Sequence, residues 1–416
     1  MDKALAQKEN TGSTPLRILL VHNRYKLRGG EDSVFEAERD MLIAGGHTVQ
    51  VYEVTNDSIG ENTSKIKLFL NTIWNKASYK TILKIIAEFK PDVVHCHNTF
   101  PLISPSIYYA CDKAGVPVIQ TLHNYRLTCL NGYLFREQEC ALCERCLGKS
   151  PIRGVFKKCY RNSFSASATV ASMLTVHRFL GTYRKKVTKF IALTDFGKNI
   201  FSKFLPADKI TVKSNPIPAI LTAPAIKTKQ VIFAGRLSPE KGADTLIKAW
   251  ISLPNKYGFT LKIIGDGAEK EKLEKLASED SSISFVGVLP KSKTIEQMSS
   301  SMLLISPSKC YETFGLSPVE AMSIGTPVLI SDVVNLFPIV QDNISGRYFK
   351  AGSVEDLAEK LTELLSDESK LTELGTAAKA AFEQSDCSTE RNLRALESIY
   401  NSVRESRTRI LNSKFY

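Results

Sequence analysis

Glu312 and Glu320 stand eight residues apart in the stretch Ser306–Ile330, SPSKCYETFGLSPVEAMSIGTPVLI. Carboxylates accept hydrogen bonds from hydroxyls. The apolar run Met302–Ile305 just upstream is expected to form a buried strand. A helix should open at Gly315, tolerate Pro318 in its first turn and run to about Gly325. Thr326–Ile330 then reads as the next strand. On that scheme Glu312 lies on the loop before the helix and Glu320 in its second turn. The free amides of the helix N-terminus lie between them and attract anions. Two carboxylates flanking such amides suit a phosphorylated, hydroxyl-rich ligand. By itself the pair reads more simply as one capping acid and one surface acid.

Further groups carry chemistry. Gly235-Arg236-Leu237-Ser238-Pro239-Glu240-Lys241-Gly242 follows an apolar strand and opens a helix. The fixed fork of Arg236 and the mobile charge of Lys241 together suit a diphosphate. Surface charges at an ordinary turn are the plainer reading. Gly29-Gly30-Glu31 precedes another helix, where glycine permits close approach of a ligand. His95-Cys96-His97 ends a strand, and its two histidines share a face, which permits chelation or packing. Thr121-Leu122-His123-Asn124 ends the next strand. No Asp-x-Asp pair occurs anywhere in the chain.

The run from Pro307-Ser308 through Tyr311-Glu312-Thr313-Phe314-Gly315-Leu316, Pro318-Val319-Glu320-Ala321-Met322 and Gly325-Thr326-Pro327-Val328 resembles the signature of glycosyltransferase family 4. Members are retaining enzymes of the GT-B fold that use nucleotide-sugar donors. The resemblance implies that Arg236 and Lys241 hold the donor diphosphate, Glu320 the ribose and Glu312 the sugar hydroxyls, with His123 orienting the sugar. Gly30, Thr313, Phe314, Gly315 and Leu316 would line the donor site. The backbone at Val288 and Leu289 would receive the base. Gly29, His97 and Asn124 would line the cleft on the acceptor side. Catalysis would need no cofactor, the diphosphate being held by Arg, Lys and helix amides.

These groups must be positioned by alternating strands and helices. Strands are expected at Leu16–Val21, Val49–Val54, Asp92–His95, Val118–Leu122 and Lys189–Leu193, with helices between them. The rhythm restarts at Val231–Ala234, with helices at 239–251 and 267–277 and strands at Thr260–Ile264 and Ile283–Val286. The fold class is therefore α/β: two doubly wound, parallel-sheet modules, the GT-B arrangement on the resemblance. The expected division is a disordered 1–14, a first module 15–214, a proline-rich linker 215–229, a nucleotide-sugar module 230–388 and a helix 389–416. The family places that last helix back on the first module.

A chain of 416 residues suffices for such modules, and 43% hydrophobic with 24% charged residues is ordinary globular composition. The N-terminal residues contain no apolar signal core, and no run is long enough to span a bilayer. The net charge of +12 is uneven. Residues 1–217 carry +13, and Arg126–Lys203 alone carries +11, from 15 basic and 4 acidic residues. Such a patch calls for an anionic partner, a membrane or a phosphorylated lipid carrier. Nucleic acid is not expected, because the patch lacks interleaved aromatics.

Five of the nine cysteines, Cys129, Cys140, Cys143, Cys146 and Cys159, crowd into a loop insertion over 124–161. Cys129, Cys143, Cys146 and Cys159 could ligate one structural zinc. Free thiols, a disulfide or an iron–sulfur site stand beside that reading.

The expected function is transfer of a sugar from a nucleoside-diphosphate sugar to a hydroxyl of a glycan or lipid-linked acceptor. The expected setting is surface polysaccharide or lipopolysaccharide assembly, in the cytoplasm or at the inner face of the plasma membrane. A nucleotide-sugar epimerase of the same fold and a non-catalytic nucleotide-sugar-binding protein are the alternatives.

Overall fold

The computed structural model describes residues 14–26, 28–60, 64–219, 226–337 and 339–412, with side chains to residue 405. The expected N-terminal tail, all but its last residue, and part of the expected linker lie outside the described residues.

The first module contains β1 (Arg17–Arg24), β2 (Thr48–Thr55), β3 (Val93–Cys96) and β4 (Val118–Thr121). A two-residue hairpin, β5 (Phe135–Arg136) and β6 (Ala141–Leu142), interrupts them before β7 (Lys189–Ala192) and β8 (Ile210–Val212). Apart from the hairpin these strands form one parallel sheet in the order β2-β1-β3-β4-β7-β8. β3 and β4 are buried along their whole length, as a sheet covered on both faces requires. Alternation along β1 sends Leu19 and Val21 into one core, and Ile18 and Leu20 into another. The helix Thr389–Asn412 covers that second face with Leu396, Ile399, Tyr400 and Val403.

The second module holds β9 (Thr228–Ala234), β10 (Thr260–Ile264), β11 (Ile283–Gly287), β12 (Ser301–Ser306), β13 (Val328–Ser331) and β14 (Arg347–Phe349). All are parallel, in the order β11-β10-β9-β12-β13-β14. Both sheets are therefore doubly wound, and each reverses direction at a crevice. The crevice lies between β1 and β3 in the first and between β9 and β12 in the second. Ligands of such sheets bind at the carboxyl ends of the strands there.

Three boundaries differ from the sequence expectation. Thr228 and Lys229 belong to β9 rather than to the linker. Ile217, at the linker's other end, is pinned through its amide to the Cys387 carbonyl at 2.8 Å. The helix expected over 239–251 is split into a single tight turn, Pro239–Lys241, and the helix Ala243–Ser252. Gly242 breaks it: its φ of +70°, and a Pro307 carbonyl oxygen only 1.9 Å from where a Cβ would stand, admit no side chain. Lys241 thus sits on the turn before the helix. β8, β14 and the helix Lys65–Ile73 were not foreseen; two are three-residue strands, too short for a period to show.

Candidate active site

The two loops at the second crevice lie side by side. The amide of Lys309, after β12, donates to the Glu240 carbonyl, after β9, at 2.8 Å. This contact sets Lys241 Nζ 2.5 Å from Glu312 Oε1, and Ser308 Oγ donates to the same oxygen at 2.6 Å. Burial alone would raise the Glu312 carboxyl. The charge and hydrogen bond of Lys241, the Ser308 hydroxyl and the nearby Arg236 outweigh it and hold the group below its ordinary range. The carboxylate is therefore ionised, and its second oxygen is left for hydroxyl donors.

Gly315, with φ +84°, caps the helix Leu316–Ser323. Glu320 lies in the second turn, buried, and pairs with Lys291, which opens the helix after β11. Val288 is exposed and Leu289 half-buried beside it. Phe314 is only 2% exposed and packs in the core, so only its backbone can meet a ligand. Thr313 Oγ1 donates to the His123 carbonyl at 2.8 Å, which ties the modules together. Arg236 Nη1 reaches Tyr133 Oη, on the cysteine-rich loop, at 3.3 Å. Leu316 comes so near Gly30 that a Cβ there would stand 2.7 Å from its Cδ1.

On the first module the histidines form a relay rather than a lining. His123 Nε2 lies 2.9 Å from His97 Nδ1, and His97 Nε2 lies 3.1 Å from Glu38 Oε1. His97 was expected to line the cleft. It is 2% exposed and stands behind His123; it follows β3 directly, and its ring faces Glu38 on helix Gly30–Ala44. His95 Nδ1 meets the same Glu38 oxygen at 3.1 Å, together with the Tyr400 hydroxyl at 2.8 Å. Lys213 Nζ holds Glu38 Oε2 at 3.1 Å and Asn392 Oδ1 at 2.7 Å.

Protonation follows from this chain. Burial would raise Glu38, but Lys213 and the histidines hold it well below the carboxylate range. Burial pushes His97 down to about 4 and His123 well below its ordinary value, so both rings are neutral near pH 7. His97 Nε2 and Glu38 Oε1 make no aligned hydrogen bond at their 3.1 Å separation, so it is the carboxylate's charge that favours the His97 proton on Nε2, with Nδ1 accepting. In that tautomer His123 donates from Nε2 to His97 Nδ1. Its Nδ1 keeps a lone pair for a ligand hydroxyl.

Among the described residues, Glu38, His95 and His97 form the one set of three or more metal-type ligands within 4.8 Å of one another. The Lys213 ammonium on the same carboxylate opposes a cation there. The sequence shows no third ligand near these histidines, because Glu38 lies on the apolar stripe of a distant helix. Cys129, Cys143, Cys146 and Cys159 lie near enough to act on one another electrostatically. Burial and the neighbouring thiols push Cys159 up to about 11. No three of these sulfurs stand within 4.8 Å of one another, wider than the sulfurs of a tetrahedral thiolate site. Cys140 is exposed.

Glu31, beside Gly29-Gly30, emerges as a further site carboxyl. Its Oε2 accepts from Tyr25 Oη at 2.9 Å and lies 3.4 Å from Asn124 Nδ2. Its Oε1 is buried with no partner. Burial raises it to about 7. The folded protein thus holds a proton that the unfolded chain releases near 4.5, and stability falls as pH rises from 4.5 to 7. Glu31→Gln removes that slope and gains about 3 kcal/mol above pH 7. The check is the difference between wild-type and variant urea unfolding across pH, since His97 contributes the opposite slope in nearly the same window.

The model described as Glycosyltransferase Family 4 matches residues 29–219, and that described as Glycosyl transferases group 1 matches residues 222–381. The chain belongs to this glycosyltransferase family. Sulfoquinovosyl transferase SQD2 of Arabidopsis thaliana is 27% identical over 323 residues, 73% of this chain and 56% of the relative. An uncharacterized glycosyltransferase of Methanocaldococcus jannaschii is 29% identical over 344 residues, 80% of this chain and 84% of the relative. The chain thus spans little more than half the length of the first of these. The crystal structure of Anabaena HepE in complex with UDP and glucose superposes with a TM-score of 0.66 at 18% identity, covering 93% of this chain and all of that one. The fold is GT-B. Among the described residues no helix is long and apolar enough to cross a membrane.

Proposed function

We propose that the chain is a retaining glycosyltransferase that moves a sugar from a nucleoside-diphosphate sugar to an acceptor hydroxyl. The observation that carries this is the Lys241–Glu312 pair, with Arg236 beside it, at the crevice where β9 and β12 diverge. A cation for a diphosphate and an ionised acid for sugar hydroxyls are built into one contact. The presence of UDP and glucose in the HepE structure supports the same class of ligand.

In this reading Lys241 and Arg236 hold the diphosphate, Glu320 the ribose and Glu312 the sugar hydroxyls. The backbone at Val288 and Leu289 receives the base, and the amides from Thr313 to Leu316 face the phosphates. His123 Nδ1 accepts from a donor-sugar hydroxyl, with Gly29, Gly30 and Asn124 on the acceptor side. The bond from the anomeric carbon to the leaving phosphate oxygen breaks as the acceptor oxygen bonds to that carbon on the same face. The acceptor's proton passes to the leaving phosphate. Lys241, Arg236 and the helix amides stabilise the charge that develops there. Assembly of a surface glycan, on a glycan or lipid-linked acceptor, is the proposed setting.

Thermal shift across a panel of nucleotide sugars tests the reading, because a ligand of the folded state raises its apparent stability. One donor class is expected to stabilise the wild type and not Arg236→Ala. Product analysis with that donor must show transfer that depends on an acceptor. An acceptor-independent epimerised product would favour the epimerase, and binding with neither product would favour a binding protein.

A further inference from the structure

The helix Phe164–Phe179 has an outer face without charge. From Ser163 to Val176 the chain reads SFSASATVASMLTV, which includes no ionisable side chain. Its inner face packs Val170, Ala171, Met173 and Leu174 in a local core. Phe164, Thr175, Val176 and Phe179 on the outer face are exposed. A surface helix ordinarily sets charged residues opposite its buried stripe. Phe179 is 89% exposed. Helices Lys65–Ile73 and Ile152–Phe156 flank this one and add Ile66, 74% exposed, and Phe156, 72% exposed. The Phe156 and Phe164 rings lie 6.3 Å apart, so these side chains form one ridge and not scattered contacts.

The charge around the ridge has one sign. From Arg145 to Thr194 there are eleven Lys and Arg and no Asp or Glu. From Ser64 to Ala87 there are five Lys and again no acid. Arg153, Lys157, Lys158, Arg184 and Lys185 stand exposed. A second copy of the chain would bring this field against itself. A surface both apolar within and negative at its boundary matches it.

We propose that this face seats on an anionic lipid bilayer. Phe156, Phe164, Phe179 and Ile66 enter the boundary of the acyl region, and the surrounding Lys and Arg meet lipid phosphates. The helix is about 24 Å long, with an exposed Phe at each end, so it lies flat on the surface. The face also adjoins the cleft. Arg161 and Arg126 both stack on the Tyr160 ring, at 5.4 and 5.1 Å, and Arg126 acts on the Glu31 carboxyl. An acceptor anchored in the leaflet would meet the cleft edge without leaving the membrane. Only that last consequence rests on the proposed transfer reaction.

Flotation with vesicles of phosphatidylcholine, alone or with a third of phosphatidylglycerol, tests the proposal on the full chain. The wild type is expected to float with the anionic vesicles, less so as salt rises, and not with the neutral ones. Phe156→Ser/Phe179→Ser and Lys157→Glu/Lys185→Glu are each expected to lower partition about tenfold. Because these side chains are exposed, thermal unfolding and nucleotide binding should stay as in the wild type. Failure to bind anionic vesicles, or binding by both variants as strong as that of the wild type, overturns the proposal. So does a wild-type dimer in sedimentation equilibrium that Phe179→Ser breaks, since the face would then seat a second copy. None of these results touches the donor site, which the nucleotide-sugar panel reads separately.

Discussion

Lys241→Ala is expected to lower kcat about 10- to 150-fold while binding of the donor changes much less. The ammonium contributes one charge-assisted hydrogen bond that strengthens as negative charge collects on the departing phosphate, about 1.5–3 kcal/mol. An interaction made mainly in the transition state appears in kcat. Lys241 Nζ donates to Glu312 Oε1 at 2.5 Å, so a phosphate must compete with that carboxylate for the ammonium. Glu312→Gln removes that competitor. The variant should bind free nucleoside diphosphate no more weakly than the wild type, yet turn over slowly, because Glu312 has lost its charge toward the sugar hydroxyls. Glu320→Gln should do the reverse and chiefly weaken nucleotide binding. Calorimetric titration of a nucleoside diphosphate into both variants separates them. Equal losses would end this division of roles, and wild-type turnover in Lys241→Ala would remove Lys241 from the site.

Positions set by one strand-to-helix turn were legible in the sequence, and contacts made across the fold were not. Arg236, Lys241, Glu312 and Glu320 each sit just beyond a strand or in the first turns of a helix. Local punctuation by Gly235, Gly242 and Gly315 marked those places. Both doubly wound sheets followed from the same alternation, because buried parallel strands read as apolar runs. Glu38 gave no such signal. It occupies the apolar stripe of its helix with Val34, Phe35, Met41 and Leu42, and its ammonium partner Lys213 lies 175 residues away. Lys291 likewise follows a proline at a helix start and shows nothing of Glu320 until the helices pack. The place of His97 in the cleft rests on the family resemblance. It follows β3 directly, and its ring turns inward toward Glu38, a choice of side that depends on which helix covers the strand.

Glu38→Gln is expected to destabilise the protein by about 3–5 kcal/mol, because it leaves the Lys213 ammonium buried without its counter-charge. Lys213 and Glu38 are both almost fully buried, so water cannot replace the lost partner. The double variant Glu38→Gln/Lys213→Met removes both charges and should recover most of the loss in urea unfolding. It should not recover the state of His123. A neutral amide exerts no net charge on His97 and can donate as well as accept, so the His97 proton is no longer drawn to Nε2, and the relay can run in either direction. Nitrogen NMR of the imidazoles should show His123 as a single Nε2–H tautomer in the wild type and as a mixture in the double variant. Turnover should fall with it, at nearly unchanged nucleotide affinity, if His123 Nδ1 serves the donor sugar. A purely structural Glu38 would give a double variant with restored stability, restored turnover and an unchanged tautomer. The pH dependence runs the same way. With His97 held near 4 in the fold and 6.5 when unfolded, its contribution to stability is complete above 6.5 and is lost as pH falls toward 4. Within that window the unfolded chain takes up a proton that the folded ring refuses. Below about 4 a protonated His97 would turn an N–H toward the N–H of His123 and break the relay at its middle bond.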